Sequence, residues 1–278
     1  MSIKIIADSS CDMPKELRQE NPFVSVPFKL YIDEEEIIDD EQLDVISFID
    51  KMVKSTGVPR SACPAPNDFL IDFSGVNACY VVAISSRLSG TYNSAELAKT
   101  MYLEENPNKL IHVFDSKSAS IAEALIVLKI HELNQLKISH ADIVDQVTQY
   151  ISEMKTYFVS ESLDNLIKNG RISKLKGAIA NVLNIKPIMG PDEDGEIKLI
   201  DKARGTAKAF QTMTDLIVEN AQNAENRILA ISHVNNLERA TWLKEEIEKK
   251  CQFKQIVIVQ TGGLSSLYCD NHGIILAF

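Results

Sequence analysis

The sequence predicts an α/β fold of two domains, an N-terminal α/β/α domain with a mostly parallel sheet and a C-terminal α/β domain with a mixed sheet. Short apolar runs rich in β-branched residues alternate along the chain with longer segments of helical periodicity. The run Cys79–Ile84 is apolar without interruption, which is typical of a parallel strand buried on both faces. The turn Asp192–Gly195 lies between two short strands and predicts an antiparallel hairpin in the second half. We expect the domains to span residues 1–157 and 158–278.

Strands and helices alternate in the first half. The predicted strands are Ile3–Ala7, an extended segment over Phe23–Ile38, Cys79–Ile84 and Leu110–Phe114. Asp12 and Pro14 are expected to begin a short helix that contains Leu17. The other predicted helices are Leu43–Lys54, Phe69–Phe73, Asn93–Lys99, Ala119–Leu136 and Ala141–Met154. Pro27 favours an edge strand, and Asp39–Glu41 is expected to begin the second helix. The prolines of Pro59–Pro66 favour a rigid loop.

The second half alternates in the same way and includes the hairpin. Its predicted strands are Thr156–Ser160, Ile185–Met189, Glu196–Ile200, Arg227–Ser232, Ile256–Val259 and Ile274–Phe278. Its predicted helices are Leu163–Lys168, Leu175–Leu183, Thr206–Asn220 and Leu237–Lys250. Pro187 favours an edge position for its strand, and Gly262–Ser266 is expected to form a turn rich in glycine and hydroxyl groups.

The composition excludes several classes of function. The 29 Lys and Arg against 39 Asp and Glu give a formal net charge of −10, which argues against a nucleic-acid-binding protein. The N-terminus lacks the apolar core of a signal peptide, and no apolar run is long enough for stable membrane insertion. The five cysteines are odd in number and contain no C-x-x-C pair, so we expect neither a zinc site nor a disulfide framework, and a reducing, cytoplasmic location. We expect no metal and no cofactor.

Polar side chains follow three of the predicted strands in the first half. Asp8–Ser10, Ser85–Thr91 and Asp115–Ser118 each come directly after a buried strand. Because the carboxyl ends of parallel strands meet at one edge of a sheet, these clusters predict a polar crevice that binds a ligand. In the second cluster Ser89 and Thr91 flank Gly90 before a helix, a pattern that suits an anion. The alternative interpretation is that Ser89 or Thr91 only caps the helix.

Known catalytic patterns are missing from the sequence. It contains no G-x-S-x-G, H-E-x-x-H or G-x-x-x-x-G-K-[ST] motif, and no G-x-G-x-x-G follows the first strand. The crevice has hydroxyl groups but no evident nucleophile–base pair. The sequence therefore favours a binding protein over an enzyme.

Six short motifs resemble those of a known family. In chain order they are Ile6–Ser10, Ser61–Pro64, Ser86–Tyr92, Asp115–Ser116, Gly170–Ile172 and Ile185–Ile188. Together they are similar to the DegV family of bacterial fatty-acid-binding proteins, over essentially the whole chain from Ile3 to Phe278. The resemblance implies a two-domain α/β protein that holds a long-chain fatty acid in a buried tunnel, with the carboxylate at the domain interface. It also implies a partner, a separate ATP-dependent fatty acid kinase that makes an acyl phosphate.

The resemblance assigns candidate residues to both roles. Ser89, Thr91 and Ser61 would bind the carboxylate, and Gly90 would let it approach the backbone. Four further residues are candidates for the domain interface or the partner contact: Arg171, Arg204, His233 and His272. The sequence departs from the family at two places. The Pro-rich loop carries Arg60 and Ala62 beside its single serine, and residues 260–266 replace a frequent His-x-Gly-Pro-Gly motif, which removes a histidine donor.

Two alternatives to a lipid carrier remain open from the sequence. The first is an enzyme or binding protein for a small phosphorylated or hydroxylated metabolite, with the Ser/Gly turns as a phosphate cradle. The second is a regulatory module that uses the basic cluster Lys202, Arg204 and Lys208 to bind a partner.

Overall fold

The structure of the protein is a computed structural model that describes residues 2–172 and 184–278. Its strands are β1 (Ile3–Asp8), β2 (Val24–Val26), β3 (Lys29–Ile32), β4 (Glu35–Ile38), β5 (Arg60–Ala62), β6 (Ala78–Ala83), β7 (Leu110–Asp115), β8 (Thr156–Val159), β9 (Ile185–Pro191), β10 (Ile197–Arg204), β11 (Ile228–His233), β12 (Gln255–Gln260) and β13 (Ile274–Ala277). Its α-helices are α1 (Lys15–Glu20), α2 (Val45–Lys54), α3 (Pro66–Leu70), α4 (Thr91–Glu105), α5 (Ile121–Gln135), α6 (His140–Glu153), α7 (Asp164–Lys168), α8 (Thr206–Asn220), α9 (Leu237–Glu248) and α10 (Gly263–Cys269). The predicted helix Leu175–Leu183 lies outside the described residues.

Two sheets confirm the predicted fold class. The first has the order β2-β1-β6-β7 and is parallel throughout. All residues of β6 are buried, as its unbroken apolar sequence predicts. The second sheet has the order β10-β9-β8-β13-β11-β12 and is mixed, because β11 and β12 are parallel while the other neighbours are antiparallel.

Helix α5 lies between the two sheets. It packs against β1 and β6 of the first sheet and against β11 and β13 of the second. Its first seven residues are all buried, so it is apolar around most of its circumference rather than along one stripe. One continuous core therefore joins both halves of the chain, with Tyr80 and Ile275 among its members.

A third, antiparallel sheet of order β4-β3-β5 corrects the prediction of a loop at Pro59–Pro66. Strand β5 pairs with β3 through the register Leu30–Ser61, and Pro59 and Pro64 flank the strand without interrupting it. The predicted extended segment Phe23–Ile38 is divided among β2, β3 and β4. Pro27 directly follows β2, which is an edge strand of the parallel sheet as expected.

Two other predictions were wrong. Strand β9 is not at an edge, because it lies between β10 and β8. In the described chain its ladder with β8 consists of the pair Phe158–Met189, so Pro187 lies outside that ladder and its missing N–H costs no hydrogen bond there. The predicted turn Gly262–Ser266 is instead the beginning of helix α10. Its low helix propensity is overcome by tertiary contacts described below.

Candidate functional site

A cavity lies between the two sheets. It has about 840 Å³ of empty space, which includes open solvent at its mouth. Most of its wall is apolar, and its large apolar side chains are Phe28, Ile84, Leu88, Phe158, Leu166, Ile197, Leu264 and Ile275. A space of this kind suits a hydrocarbon.

One part of the wall is polar and is built from four separate segments. Ser61 of β5, Ser89 before α4, Arg171 after α7 and Tyr268 of α10 all line the cavity. The Ser61 Oγ and Tyr268 Oη atoms are 2.9 Å apart and share a hydrogen bond. The Arg171 guanidinium carbon lies 5.8 Å from the centre of the Tyr268 ring. Hydroxyl groups beside a cation are hydrogen-bond donors of the kind that suits an anion.

Arg171 is fixed by the backbone of the turn that precedes α4. Its Nε donates to the Leu88 carbonyl at 3.1 Å, and its Nη1 donates to the Asn169 carbonyl. The bond to Leu88 ties Arg171 to the residue next to Ser89. The structure thus brings together three of the residues that the sequence singled out, Ser61, Ser89 and Arg171, although Arg171 was expected at an interface or partner contact.

Thr91 and Gly90 follow Ser89 in the chain and contribute differently to the site. Ser89 Oγ shares a hydrogen bond of 2.8 Å with Thr91 Oγ1 and accepts one of 3.3 Å from the Thr91 N–H. Thr91 is fully buried, so it lies behind Ser89 and orients it. Gly90 is exposed, and a Cβ on it would lie 3.3 Å from Cys63 Sγ, which shows that the turn packs closely against the end of β5.

The predicted crevice of strand-end clusters forms only in part. Asp8 is buried and accepts hydrogen bonds from the Ile84 N–H at 2.8 Å and the Ser10 hydroxyl at 2.7 Å. Asp115 accepts from the Ser86 N–H at 3.1 Å. These carboxylates are used within the protein to join strand ends, whereas Ser10 reaches the cavity wall.

Two acidic residues have roles that the sequence analysis missed. Asp12 was expected to cap α1, but its Oδ1 accepts from the Gly262 N–H at 2.7 Å. Asp39 was expected at the start of α2, but it accepts from the N–H groups of Gly263 at 2.8 Å and Leu264 at 3.0 Å. Both carboxylates therefore cap α10 from the N-terminal half, and α10 carries Tyr268.

In the sequence, the signal for this capping of α10 is the consecutive pair Gly262 and Gly263. A Cβ on Gly263 would lie 2.6 Å from Asp39 Oδ1, so only glycine allows the close approach. Consecutive glycines before a helix show that another group comes near the backbone, but the sequence alone does not tell which group it is.

A buried acidic cluster lies below the cavity. Burial raises the pKa of Asp8 to about 6 and the pKa of Asp12 to about 7. Burial also raises the pKa of Asp39 to about 6. Glu123 of α5 is fully buried, and burial, with the charge of Asp8, raises its pKa well above the usual range. Sequence reasoning missed Glu123, although a single acid in the apolar start of α5 was a visible signal.

Three further candidates lie away from the polar wall. Arg204 is exposed at the end of β10, near the start of α8. His233 is buried at the end of β11, where its Nδ1 accepts from the Asn236 N–H at 3.2 Å. His272 is exposed, and its carbonyl accepts from Asn236 Nδ2 at 2.8 Å. Asn236 thus links both histidines in a local structure outside the cavity.

Within residues 2–172 and 184–278, no group of three or more His, Cys, Asp or Glu side chains is arranged to hold a metal ion. The helices of these same ranges include none that is long and apolar enough to cross a membrane.

The family model described as "Uncharacterised protein, DegV family" matches residues 2–272. The chain belongs to the DegV family. A DegV domain-containing protein of Streptococcus gordonii is 36% identical over 280 residues, which covers 100% of this chain and 99% of the relative. A DegV domain-containing protein of Streptococcus pneumoniae is 37% identical over 281 residues with the same coverage. The resemblance drawn from the six motifs is confirmed.

Solved DegV structures share the whole architecture. A DegV family protein from Ruminococcus gnavus, refined with vaccenic acid, has a TM-score of 0.96 at 38% identity, with 100% of both chains covered. The fatty acid kinase (Fak) B3 protein of Streptococcus pneumoniae, loaded with linoleic acid, has a TM-score of 0.89 at 36% identity, with 100% of this chain and 99% of that chain covered. A DegV family protein from Eubacterium eligens, loaded with heptadecanoic acid, has a TM-score of 0.89 at 32% identity, with 99% of both chains covered.

Proposed function

We propose that the protein binds a long-chain fatty acid, with the alkyl chain in the cavity between the sheets and the carboxylate at the polar wall. The observation that carries the proposal is a largely apolar cavity in which the hydroxyl groups of Ser61, Ser89 and Tyr268 lie on the same part of the wall as one cation, Arg171. The fatty acids bound to three DegV proteins that are 32–38% identical support it. In this arrangement the carboxylate lies where residues 1–157 meet residues 158–278, and the cavity is the tunnel.

The energetics favour the alkyl chain as the source of affinity. Burying about 15 methylenes at ~0.8 kcal/mol each releases roughly 12 kcal/mol. Association costs of several kcal/mol leave a dissociation constant on the order of micromolar or below. The hydroxyl groups and Arg171 then fix the position of the head group and add less to the total free energy.

A phosphorylated metabolite suits the cavity less well. A phosphate needs several cations or free backbone N–H groups. Among the described residues, Arg171 is the cation in the cavity wall, and most of the wall is apolar.

The proposal predicts that the protein purifies from a bacterial host with a fatty acid in the C14–C18 range, which the family resemblance implies and which includes the vaccenic, linoleic and heptadecanoic acids of the related structures. Native mass spectrometry, followed by organic extraction and mass analysis, measures the identity and stoichiometry of the bound acid. Delipidated protein is the control and is expected to take up added oleate or palmitate. Protein that carries no acyl chain and takes up neither acid would contradict the proposal.

We further propose that the protein acts as a carrier that presents the carboxylate to a separate ATP-dependent kinase, rather than as an enzyme. The name of the pneumococcal fatty acid kinase B3 protein supports this role. Arg204 is exposed beside Lys202 and Lys208 on a chain of net charge −10, so this basic surface is suited to an acidic partner.

Arg204→Ala is therefore expected to leave oleate affinity within about twofold and to slow kinase-dependent phosphorylation by about tenfold, since a lost interfacial charge contact costs on the order of 1–2 kcal/mol. A binding assay beside a coupled phosphorylation assay separates the two effects. Lys244→Ala, which removes a partly exposed cation of α9, is the control and is expected to change neither quantity. Equal loss of binding and phosphorylation in Arg204→Ala would exclude a partner contact.

A further inference from the structure

Two hydroxyl groups of the polar wall belong to separate parts of the fold. Tyr268 lies on helix α10, and Ser61 lies on β5 of the small sheet β4-β3-β5. Their oxygen atoms are 2.9 Å apart and share a hydrogen bond. The two hydroxyl groups act on one carboxylate only while the helix and the small sheet keep a fixed distance. The contact that sets this distance therefore determines the geometry of the polar wall.

Asp39 joins the small sheet to the beginning of α10. It directly follows β4, and its carboxylate accepts from the N–H groups of Gly263 at 2.8 Å and Leu264 at 3.0 Å. A Cβ on Gly263 would lie 2.6 Å from Asp39 Oδ1 and 2.6 Å from Leu30 Cδ1 of β3. The helix thus begins in direct contact with the small sheet, and glycine is the residue that permits this contact.

The Asp39 side chain is itself held in place. Its Oδ2 atom also accepts from Ser9 Oγ at 2.8 Å, and Ser9 Oγ accepts from the Phe28 N–H at 3.0 Å. The Asp39 N–H donates to the Phe28 carbonyl at 3.0 Å. Asp39 is buried, so water weakens these bonds little. A carboxylate fixed in this way defines where the helix begins.

Asp12 fixes the same end of α10 to a different part of the protein. Its Oδ1 accepts from the Gly262 N–H at 2.7 Å, and its Oδ2 forms a hydrogen bond with Ser120 Oγ, directly before α5. Ser120 Oγ in turn lies 2.9 Å from Ser232 Oγ of β11. Asp12 therefore connects the helix to the main core, whereas Asp39 connects it to the sheet that carries Ser61. A protein without the Asp39 carboxylate keeps α10 attached but no longer fixes its distance from Ser61.

Helix α10 is short, so its first turn determines the position of Tyr268. Leu264, whose N–H donates to Asp39, lies four residues before Tyr268 and thus one turn away on the same face. Both side chains line the cavity. One helical turn rises about 5.4 Å, and hydrogen bonds within the helix make it move as a unit. A shift of the N–H groups at Asp39 is therefore carried to the Tyr268 hydroxyl.

We propose that Asp39 is a positioning residue for the head group, because it holds α10 against the small sheet so that the Tyr268 hydroxyl reaches the same carboxylate as Ser61. The inference rests on the proposed fatty-acid function and adds the residue that sets the geometry of its head-group site. Asp39→Asn keeps the size of the side chain but replaces one acceptor oxygen with an NH₂ group. One of the two N–H groups of α10 then loses its partner, and the helix is free to shift from the small sheet.

The test compares oleate with oleyl alcohol, which has the same chain without the carboxylate. Affinities are measured by displacement of cis-parinaric acid, a fluorescent fatty acid that is titrated separately with each variant. The assay is run at pH 8, above the pKa of about 6 to which burial raises Asp39, so the wild-type carboxyl is ionised. Asp39→Asn is expected to lower oleate affinity by about threefold to tenfold and to leave oleyl alcohol affinity within about twofold, because charged acceptors form the stronger hydrogen bonds.

A second variant and a control isolate this contact. Gly263→Ala places a methyl group against Asp39 from the helix side, and it is expected to cause the same selective loss of oleate affinity. Ser139→Ala removes the N-cap of α6, whose hydroxyl accepts from the Asp142 N–H outside the cavity. This control is expected to lower the melting temperature and to change neither affinity.

A double variant shows whether Asp39 acts through Tyr268. Tyr268→Phe removes the hydroxyl that Asp39 positions and is expected to lower oleate affinity by about tenfold. Adding Asp39→Asn to Tyr268→Phe is then expected to change oleate affinity by less than about twofold, since the two residues act as one unit. A merely structural role of Asp39 would instead make the two effects add.

Four outcomes would overturn the positioning role. Equal losses of oleate and oleyl alcohol affinity in Asp39→Asn would mean that Asp39 supports the cavity as a whole. Additive effects of Asp39→Asn and Tyr268→Phe, or wild-type oleate affinity in Tyr268→Phe, would mean that Asp39 does not act through this hydroxyl. Unchanged oleate affinity in both Asp39→Asn and Gly263→Ala would mean that α10 keeps its position without the contact. Wild-type protein that binds neither oleate nor cis-parinaric acid would instead reject the proposed function, so the two failures are distinguishable.

Discussion

Ser89→Ala is expected to lower the affinity for oleate by about tenfold to a hundredfold. The substitution removes a hydroxyl donor from the polar wall, and a hydrogen bond to a charged acceptor contributes about 1.5–3 kcal/mol. The alkyl chain keeps its contacts, so binding weakens but persists. The free energy of unfolding is expected to fall by about 1 kcal/mol, because the buried Thr91 hydroxyl loses its bond to Ser89. Isothermal titration calorimetry and thermal denaturation of the same variant measure both quantities.

Ser86→Ala provides a matched control. Ser86 lies in the same turn, but its Oγ donates to Asp115 rather than into the cavity. We expect Ser86→Ala to lower stability and to leave oleate affinity unchanged. The opposite result for Ser89→Ala, a lower melting temperature with unchanged affinity, would mean that Ser89 only orders the start of α4.

Strands and helices with strong local patterns were predictable from the sequence. The unbroken apolar run of β6 and the periodic segment of α8 agree with the structure to within one residue. Strand β5 was not predictable from the sequence, because its three residues form a strand only through pairing with β3, about thirty positions earlier. Helix α10 was also missed, since its Gly-Leu-Ser-Ser sequence has low propensity and depends on the carboxylates of Asp12 and Asp39.

The candidate site shows the same division. Ser61 and Ser89 were predictable because each lies in a short motif that resembles the family. Tyr268 was not predictable as a member of the site, because its hydrogen bond to Ser61 spans 207 positions of the chain. Tyr268 supplies a hydroxyl to the polar wall, in the region where the sequence lacks the frequent histidine motif of the family.

The buried acids make the protein less stable as pH rises. Burial holds the folded-state pKa of Asp8, Asp12 and Asp39 at about 6, 7 and 6. These values lie above the unfolded value of about 3.9. Between these limits the folded state binds more protons than the unfolded state, so the free energy of unfolding falls as pH rises from about 4 to about 7. Each group contributes about 1.4 kcal/mol per pH unit inside its window.

Glu123→Gln is expected to stabilise the delipidated protein at pH 8 and to change its stability little near pH 4.5. Glu123 Oε1 shares a hydrogen bond with Ser10 Oγ, whose own hydrogen goes to Asp8, while Oε2 has no hydrogen-bond partner among the described residues. Its pKa is raised well above the usual range by burial and by Asp8. An uncharged amide removes the cost of keeping this group protonated, which grows by about 1.4 kcal/mol per pH unit above roughly pH 4.5.

Urea denaturation of wild type and Glu123→Gln across pH 4.5–8 measures this difference. Glu132→Gln, on the more exposed part of α5 where Glu132 pairs with Lys129, is the control and is expected to follow the wild-type curve. Two parallel curves for wild type and Glu123→Gln would mean that Glu123 titrates at the same pH in the folded and unfolded states. That result would contradict a neutral Glu123 below the cavity, since only a difference in proton binding between the two states makes the curves diverge.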